Sequence, residues 1–333
     1  MLVTEALAAC SAVLGRAAFA PGSAPNLARA AVYALNPLRR PRVGHYPASY
    51  TVYVNTRCNY RCDFCYLKVD RLESVELTIP ALERIVNHPF NRYAFRVTLG
   101  GGEPFLHPEL FDYIELLKNR AKYVSVYSNG SLLERHLEQL ERGGLDSLHV
   151  SHYDGKYDAV RPAMREVTAK RLVPSVCLRK IITVENLHQM EQVIETALED
   201  GIGSVVFNNY YPGSDAEKRL PVTAGHRPYL EELKRVKAKF AGAPVRVSYL
   251  NPVEPQGAFN CQNLGLSIIY DAHGNVAPCC FITPPKAQYG NLFTDRDIWN
   301  TGEMMTLRRG DCASCTNCFF RKGISNRIAS FCR

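Results

Sequence analysis

The chain of 333 residues carries 40 Lys and Arg against 32 Asp and Glu, a net charge of +8, and 46% of it is hydrophobic. Its 18 Tyr and 14 Phe exclude a disordered chain, and 22 Gly and 20 Pro without a period exclude a collagen-like one. Twelve Cys in a chain long enough to bury a full core exclude a small disulfide scaffold; they point to metal, catalytic or redox chemistry in a reducing compartment, the cytoplasm.

The first twenty residues are Ala-rich and end in Ala18, Phe19 and Ala20, yet Glu5 is the first charged side chain, where a signal peptide would start basic. Val3, Leu7, Cys10, Leu14 and Ala17 recur at helical spacing and predict an amphipathic helix with Cys10 as a small buried hydrophobe. Residues 1–49 thus read as a helical extension. Attachment to a membrane surface, helped by Arg29, Arg39, Arg40 and Arg42, is the less favoured alternative to plain packing. No apolar run reaches the roughly 20 residues of a membrane span. The basic excess is scattered and forms no tract interleaved with aromatic residues, so no stable nucleic-acid partner is expected.

Residues 50–245 alternate short β-branched runs with amphipathic stretches, the pattern of βα units around a parallel sheet. Strands are predicted at Tyr50 to Asn55, Phe95 to Leu99, Tyr123 to Tyr127, Ser147 to Ser151, Pro174 to Ile182 and Ser204 to Asn208. Helices are predicted at Ile79 to Asn87, Pro108 to Asn119, Leu132 to Arg142 and Val184 to Asp200. Six such units make an α/β chain with a partial (β/α)6 barrel, whose ligands bind on the loops at the carboxyl edge of the strands. A helix at Val222 to Phe240 and a run at Val245 to Tyr249 follow; residues 246–333 are then rich in Pro, Asn, Gly and Cys. That last stretch predicts a small cysteine-rich domain that needs a metal group to fold.

Directly after the first strand, Cys58, Cys62 and Cys65 are spaced C-x-x-x-C-x-x-C. Three thiolates on one loop can hold three irons of a cubic iron-sulfur cluster and leave the fourth iron open. Structural zinc is the weaker reading, because the loop has no fourth Cys or His, and a disulfide would leave one thiol over. The second strand ends in Gly100, Gly101, Gly102, Glu103 and Pro104, which brings a glycine run with accessible backbone groups beside the cysteine loop. Alone, such a run is more often just a tight strand-to-helix turn. The third strand ends in Ser128 and Asn129, and the fourth in Ser151, His152, Tyr153 and Asp154.

With these residues the chain resembles the radical S-adenosylmethionine (radical SAM) family over about 200 residues. The resemblance implies that Cys58, Cys62 and Cys65 hold a [4Fe-4S] cluster whose open iron is chelated by the amino and carboxylate groups of S-adenosylmethionine. It further implies that Gly101, Gly102 and Glu103 meet the methionine amino group and that Phe64 lies against the adenine. Ser128 and Asn129 would face the ribose or carboxylate end, with Ser151 and Arg161 as additional ligands there. An external electron donor such as flavodoxin or ferredoxin is implied, as is hydrogen abstraction from a substrate carbon by the 5′-deoxyadenosyl radical.

The last quarter holds Cys261, Cys279, Cys280, Cys312, Cys315, Cys318 and Cys332. Three thiols repeating every third residue, joined by earlier ones across a turn at Asp271 to Asn275, suit an iron-sulfur cluster better than a zinc ribbon. The segment from Cys261 to Cys318 resembles the SPASM and twitch auxiliary-cluster domains, although it departs from the full two-cluster pattern of eight or so cysteines with a longer final gap. That resemblance implies one auxiliary cluster, expected on Cys261, Cys279, Cys315 and Cys318 with Cys312 as competitor. Cys280, Cys312 and Cys332 would remain for a second. Cys177, within the fifth strand, would face the barrel interior on one strand parity and could return a hydrogen atom to a substrate radical; a bland core thiol is the alternative.

The expected activity is thus modification of a small biosynthetic metabolite, a sugar or nucleoside, by epimerisation, dehydrogenation or bond formation. Maturation of a ribosomally made peptide is the alternative, set second because the first 49 residues are too short for a leader-binding winged helix. A non-catalytic electron-transfer protein is disfavoured, because it needs no methionine clamp. Arg179, Asn208, Asn209, Tyr210 and Tyr211 are candidate substrate contacts.

Overall fold

Side chains alternate along the first strand, β1 (Ser49–Asn55). Tyr50, Val52 and Val54 are fully buried on one face, while Thr51 and Tyr53 point to the other. The same period governs β2 (Arg96–Gly101), β3 (Tyr123–Ser128), β4 (Ser147–Ser151), β5 (Ser175–Ile182) and β6 (Ser204–Asn209), each one within two residues of its expected bounds. The structure, a computed structural model, describes residues 43–44, 46–68, 73–212, 214–250, 252–253 and 263–309. The expected N-terminal helix with Cys10, and Cys261, Cys312, Cys315, Cys318 and Cys332, lie outside those residues.

Six helices cover the apolar face: α1 (Ile79–Asn87), α2 (Leu110–Lys118), the short α3 (Leu137–Glu141), α4 (Tyr157–Ala169), α5 (Gln189–Glu199) and α6 (Arg227–Lys239). Their buried residues recur at three- and four-residue steps, as in Val160, Ala163, Met164 and Val167 of α4 or Met190, Val193, Ile194 and Ala197 of α5. These stripes share one core with Val97, Leu99, Val124, Val126, Leu148, Val150 and Leu178 of the sheet. Each fully buried aliphatic side chain contributes about 2 kcal/mol. Thr78 starts α1 by accepting a hydrogen bond from the Ala81 amide at 3.4 Å.

Three predicted helices begin late or break. Over 132–142 a 3-10 turn at Leu133–His136 precedes α3, where the His136 ring sits between Phe105 and Phe111 and Nε2 lies 3.2 Å from the Phe105 carbonyl. α5 starts at Gln189 rather than Val184, because the Asn186 side chain accepts from the Thr183 amide at 2.7 Å and donates to the Ile181 carbonyl at 3.2 Å, which folds the approach into a turn. α6 begins at Arg227 rather than Val222, since the Val222 amide and carbonyl are bonded to the Asn209 side chain.

The boundary expected at 245 does not interrupt the sheet. β7 (Arg246–Ser248) pairs in parallel with β6, and β8 (Ser267–Tyr270), which follows the short α7 (Asn263–Leu266), pairs in parallel with the other side of β1. β9 (Asn275–Ala277) and β10 (Lys286–Asn291) then add antiparallel strands, giving the order β10-β9-β8-β1-β2-β3-β4-β5-β6-β7. α8 (Gly302–Arg309) follows, and the Asn300 side chain is bonded to both the amide and the carbonyl of Val43. The chain is therefore α/β with a mostly parallel open sheet, a partial barrel in which β7 and β10 are the ends. Among the described residues no helix is long and apolar enough to cross a membrane.

The other sheet face is polar. In register across the strands run Thr51, Thr98, Ser125, Ser147 and Ser175, and one layer above them Tyr127, His149 and Cys177. A parallel sheet covered by apolar layers on both sides reads as continuous hydrophobic runs. Here alternate positions are hydroxyl, aromatic or charged, as suits the concave wall of a site.

Candidate active site

The turn after β2 and the loop after β1 are bonded to each other by backbone. The Gly102 amide donates to the Asn55 carbonyl at 2.9 Å and the Glu103 amide to the Arg57 carbonyl at 2.7 Å. The buried Asn55 side chain closes the join, donating to the Glu103 carbonyl at 3.0 Å and accepting from the Arg57 amide at 3.1 Å. A Cβ at Gly102 would stand 1.8 Å from the Arg57 carbonyl oxygen, and one at Gly101, whose φ is +115°, would stand 2.3 Å from the Asn55 carbonyl oxygen. The glycines are thus needed for close approach of two main chains. This corrects the expectation of open amides along the run, since those of Gly102 and Glu103 are already used.

Glu103 is buried at the centre of this join. One carboxylate oxygen accepts from the Ser128 hydroxyl at 2.8 Å and the Phe105 amide at 3.1 Å, and the other from the Asn129 amide at 2.7 Å. Burial pushes its pKa up to about 7, against the three donors, which favour the charged form. Ser128 in turn accepts from the Gly130 amide at 2.9 Å. Asn129 reaches the cysteine loop, its Nδ2 standing 2.9 Å from Asn59 Oδ1 and 3.8 Å from Cys58 Sγ. Cys58, Cys62, Gly101, Gly102, Glu103, Ser128 and Asn129 are therefore linked through one hydrogen-bonded and covalent framework at the carboxyl edge of β1, β2 and β3.

The three loop thiols are free and half-buried. Cys58 Sγ accepts from the Tyr60 amide at 3.4 Å. Burial pushes the thiols of Cys58 and Cys62 up from their ordinary pKa, opposed at Cys58 by the Tyr60 amide and at Cys62 by Tyr153. As thiols they are poor ligands, so it is a bound metal that must drive the protons off. Among the described residues no three Cys, His, Asp or Glu side chains converge on a single ion. Three thiols on one loop, each able to hold an iron of its own, suit a [4Fe-4S] group, whereas structural zinc takes four ligands.

Phe64 stacks on Tyr153, with ring centroids 5.7 Å apart and planes 18° from parallel, and Tyr60 meets the same ring edge-on at 5.6 Å. Ser151 hydrogen-bonds the Tyr153 hydroxyl. The aromatic wall expected from Phe64 alone is thus a pair, and Tyr153, at the end of β4, is a site residue that only its edge position signalled.

Arg161 is placed elsewhere. Its guanidinium donates to the buried Asp200 carboxylate at 2.7 Å and pairs with Glu199, while Arg165 binds the same Asp200 oxygen at 2.7 Å. It joins α4 to the end of α5 and is not in the Glu103 framework, contrary to the expectation of a cofactor ligand.

Cys177 lies on the concave face, buried, next in register to His149. Its thiol donates to the Leu178 carbonyl at 3.7 Å. Of the substrate contacts, Asn209 is structural: it is buried and its side chain bonds Val222 and the Tyr210 amide. Asn208 accepts from Arg179 at 3.1 Å, and Tyr211 stacks on Phe281 at 4.1 Å. Phe281 also meets Tyr66 edge-on at 6.2 Å, so the residue after Cys280 and the residue after Cys65 touch. Cys279 and Cys280 are the described members of the C-terminal cysteine group; with Cys65 they contribute to holding the buried Tyr53 phenol neutral.

A family model for the Radical SAM superfamily matches residues 52–220. The chain belongs to the radical SAM superfamily. The match begins inside β1 and takes in the cysteine loop, the Gly101 to Glu103 turn and β1 to β6. Among curated radical SAM relatives, the PqqA peptide cyclase of Gluconobacter oxydans is 24% identical over 300 residues, covering 81% of this chain and 82% of the relative. A probable GTP 3',8-cyclase of Methanococcus maripaludis is 27% identical over 169 residues, and there the chain spans about half, 51%, of the relative's length. Among solved structures, Streptococcus suis SuiB bound to precursor peptide SuiA has a TM-score of 0.62 at 14% identity, covering 87% of this chain and 73% of SuiB. The enzyme anSMEcpe with bound AdoMet has a TM-score of 0.61 at 17% identity, covering 82% of this chain and 88% of that one. At such identities these two structures establish the fold only.

Proposed function

We propose that this radical SAM enzyme holds a [4Fe-4S] cluster on Cys58, Cys62 and Cys65 and abstracts hydrogen from a carbon of its substrate on the concave face of the sheet. The observation that carries the reading is the Glu103 framework, which fixes the turn at Gly101 and Gly102, the Asn129 side chain and the loop at Cys58 in one rigid unit. When bound, the cluster and S-adenosylmethionine supply the one-electron chemistry that generates the abstracting radical. The chain's own residues orient and exclude. Glu103 offers a buried carboxylate to the methionine ammonium, whose charge would favour the ionised form over the one burial prefers. Ser128, Asn129 and Ser151 offer hydroxyl and amide groups to the ribose and carboxylate, and Phe64 with Tyr153 offers a flat wall to the adenine.

The substrate now placed first is a ribosomally made peptide, set second from the sequence, and the support for the change is the peptide cyclase that aligns along 81% of the chain. A small metabolite of nucleotide type is the second reading, supported by the GTP cyclases, one of which aligns with half of this chain. An auxiliary cluster on Cys261, Cys279, Cys315 and Cys318, with Cys312 as competitor, follows from the likeness of the last quarter to SPASM and twitch domains. Cys280, Cys312 and Cys332 remain for a second one. Cys177 serves as hydrogen-atom donor where the product requires one. Reduced, reconstituted protein incubated anaerobically with S-adenosylmethionine is expected to form 5′-deoxyadenosine; none above a Cys58→Ala control would reduce the protein to an electron carrier.

A further inference from the structure

Arg179 is a half-buried arginine on the concave face. The half-buried Arg161 has its carboxylates in Asp200 and Glu199, and the exposed Arg235 has Glu191 and Glu232. Among the described residues Arg179 has no acidic partner. Its guanidinium lies over the Tyr127 ring, 5.0 Å from the centroid, with Nη1 3.5 Å from the Tyr127 hydroxyl and Nη2 donating to Asn208 Oδ1 at 3.1 Å. Both partners are neutral. They hold the fork in place and leave it without a carboxylate of its own.

Burial works against the Arg179 charge, and Tyr127, Cys177, Tyr66 and Cys280 favour it, but none of these is a carboxylate. Beneath Tyr127 the His149 ring is stacked at 4.4 Å and only 9° from parallel. His149 is buried, its Nδ1 has no hydrogen-bond partner, and burial together with the charges of Arg179 and Arg96 holds it neutral. Arg179 sits within electrostatic reach of Tyr66 and Cys280, which follow and belong to the two cysteine loops. It is paired in register with Ser151 on β4 and Val206 on β6, at the carboxyl edge of the strands. A fixed, partly desolvated guanidinium is therefore presented between the cofactor loop and the C-terminal cysteine loop.

We propose that Arg179 is the binding residue for an anionic oxygen group of the substrate, a carboxylate or a phosphate, with Tyr127 and Asn208 as its positioning residues. The inference rests on the enzyme reading above and deepens it by naming the substrate's chemical class. A planar guanidinium with two outward N–H groups suits bidentate capture of such a group, which a lysine ammonium does not match. Carboxylate capture fits an acidic side chain or terminus of a peptide, and phosphate capture fits a nucleotide.

The test uses the full cluster-loaded chain and two probes, glutarate and inorganic phosphate, each against chloride at matched ionic strength. The midpoint of thermal unfolding is expected to rise saturably with one probe, by about 2 °C at ten times the dissociation constant. Which probe acts tells a carboxylate from a phosphate. Arg179→Met is expected to raise that dissociation constant at least tenfold, and Arg179→Lys by a smaller factor, with probe-free midpoints recording that each variant folds. An equal response in wild type and Arg179→Met, or no saturable response to either probe, overturns the proposal. So does a tenfold loss of S-adenosylmethionine affinity in Arg179→Met by equilibrium dialysis, since the guanidinium would then be holding the cofactor's carboxylate. Failure to form 5′-deoxyadenosine would sink the enzyme reading while leaving the anion response in place, so the two failures are distinguishable.

Discussion

Replacing Gly102 by alanine should unseat the cysteine loop from a distance. The new Cβ would lie 1.8 Å from the Arg57 carbonyl oxygen and 2.4 Å from its carbon, where ordinary contact begins at 3.4 Å, so the Arg57 peptide must move by 3.4 − 1.8 = 1.6 Å. That movement breaks the bonds from Gly102 and Glu103 to Asn55 and Arg57, at 2.9 and 2.7 Å, and strains the Asn55 side chain between them. Two main-chain hydrogen bonds at about 1 kcal/mol each, with part of the desolvation of a buried carbonyl, give a loss of about 3 kcal/mol. For 333 residues that loss lowers the unfolding midpoint by about 4 °C. Because Cys58 is the residue after Arg57, iron content after anaerobic reconstitution should fall as well. Gly203→Ala is the control, since a Cβ there meets nothing within 4 Å. A Gly102→Ala protein with wild-type midpoint and wild-type iron content would refute the reasoning.

Arg161→Gln should cost about 1 to 2 kcal/mol in denaturant titration, because it strips one of two guanidinium groups from a buried Asp200, and should leave S-adenosylmethionine affinity unchanged. Weakened cofactor binding without destabilisation would return Arg161 to the site. His152, stacked on Tyr157 and facing Lys180 and Asp154, is held down to about 4 from 6.5, chiefly by burial and then by the Lys180 charge. Below pH 6.5 the unfolded chain gains that proton first, so stability is lost as pH falls from 6.5 towards 4, by about 3 kcal/mol in full. Glu103, pushed up to about 7, works the other way and stabilises the fold as pH falls from 7 towards 4.5. His152→Asn should therefore gain on wild type by about 2 kcal/mol between pH 7 and 4.5, and a flat difference would refute the assignment. Cys177→Ala should keep forming 5′-deoxyadenosine but alter the product or lower turnover; full turnover to an unchanged product would make the thiol a core residue.

The strands were legible because period-two alternation and β-branched runs are local properties, and the cysteine loop and Gly101 to Glu103 were legible because their chemistry is carried by spacing. α4 was not singled out: Pro162 in its second turn removes one amide and masks a stripe that packing against the sheet sustains. The ion pairs of Arg161 were not legible because its partners stand 38 and 39 residues away, on α5 and its C-cap, a distance that no motif encodes. The role of the two glycines was half legible: the turn could be read, but not that its neighbour is another main chain rather than a ligand. The continuation of the sheet through β7 to β10 was hidden for the same reason. Strands of three to six residues such as Arg246–Ser248 have too little pattern of their own and are fixed by the long-range edge they meet.

Pairing of β8 with β1 sets a timetable for assembly. Ser49 is bonded alongside Arg96 on one flank and Ser267 on the other, 267 − 49 = 218 residues later. At about 5 to 20 residues per second, β1 would wait on the ribosome for roughly 10 to 40 s with one edge bare. During that interval the strand that carries the cysteine loop is open to any other extended chain, and long-range parallel pairing is slow to close such an edge. Cluster insertion made before residue 270 emerges would be made into a sheet still lacking β8, β9 and β10. The last quarter of this chain therefore acts on the first cysteine loop whether or not it carries a cluster of its own.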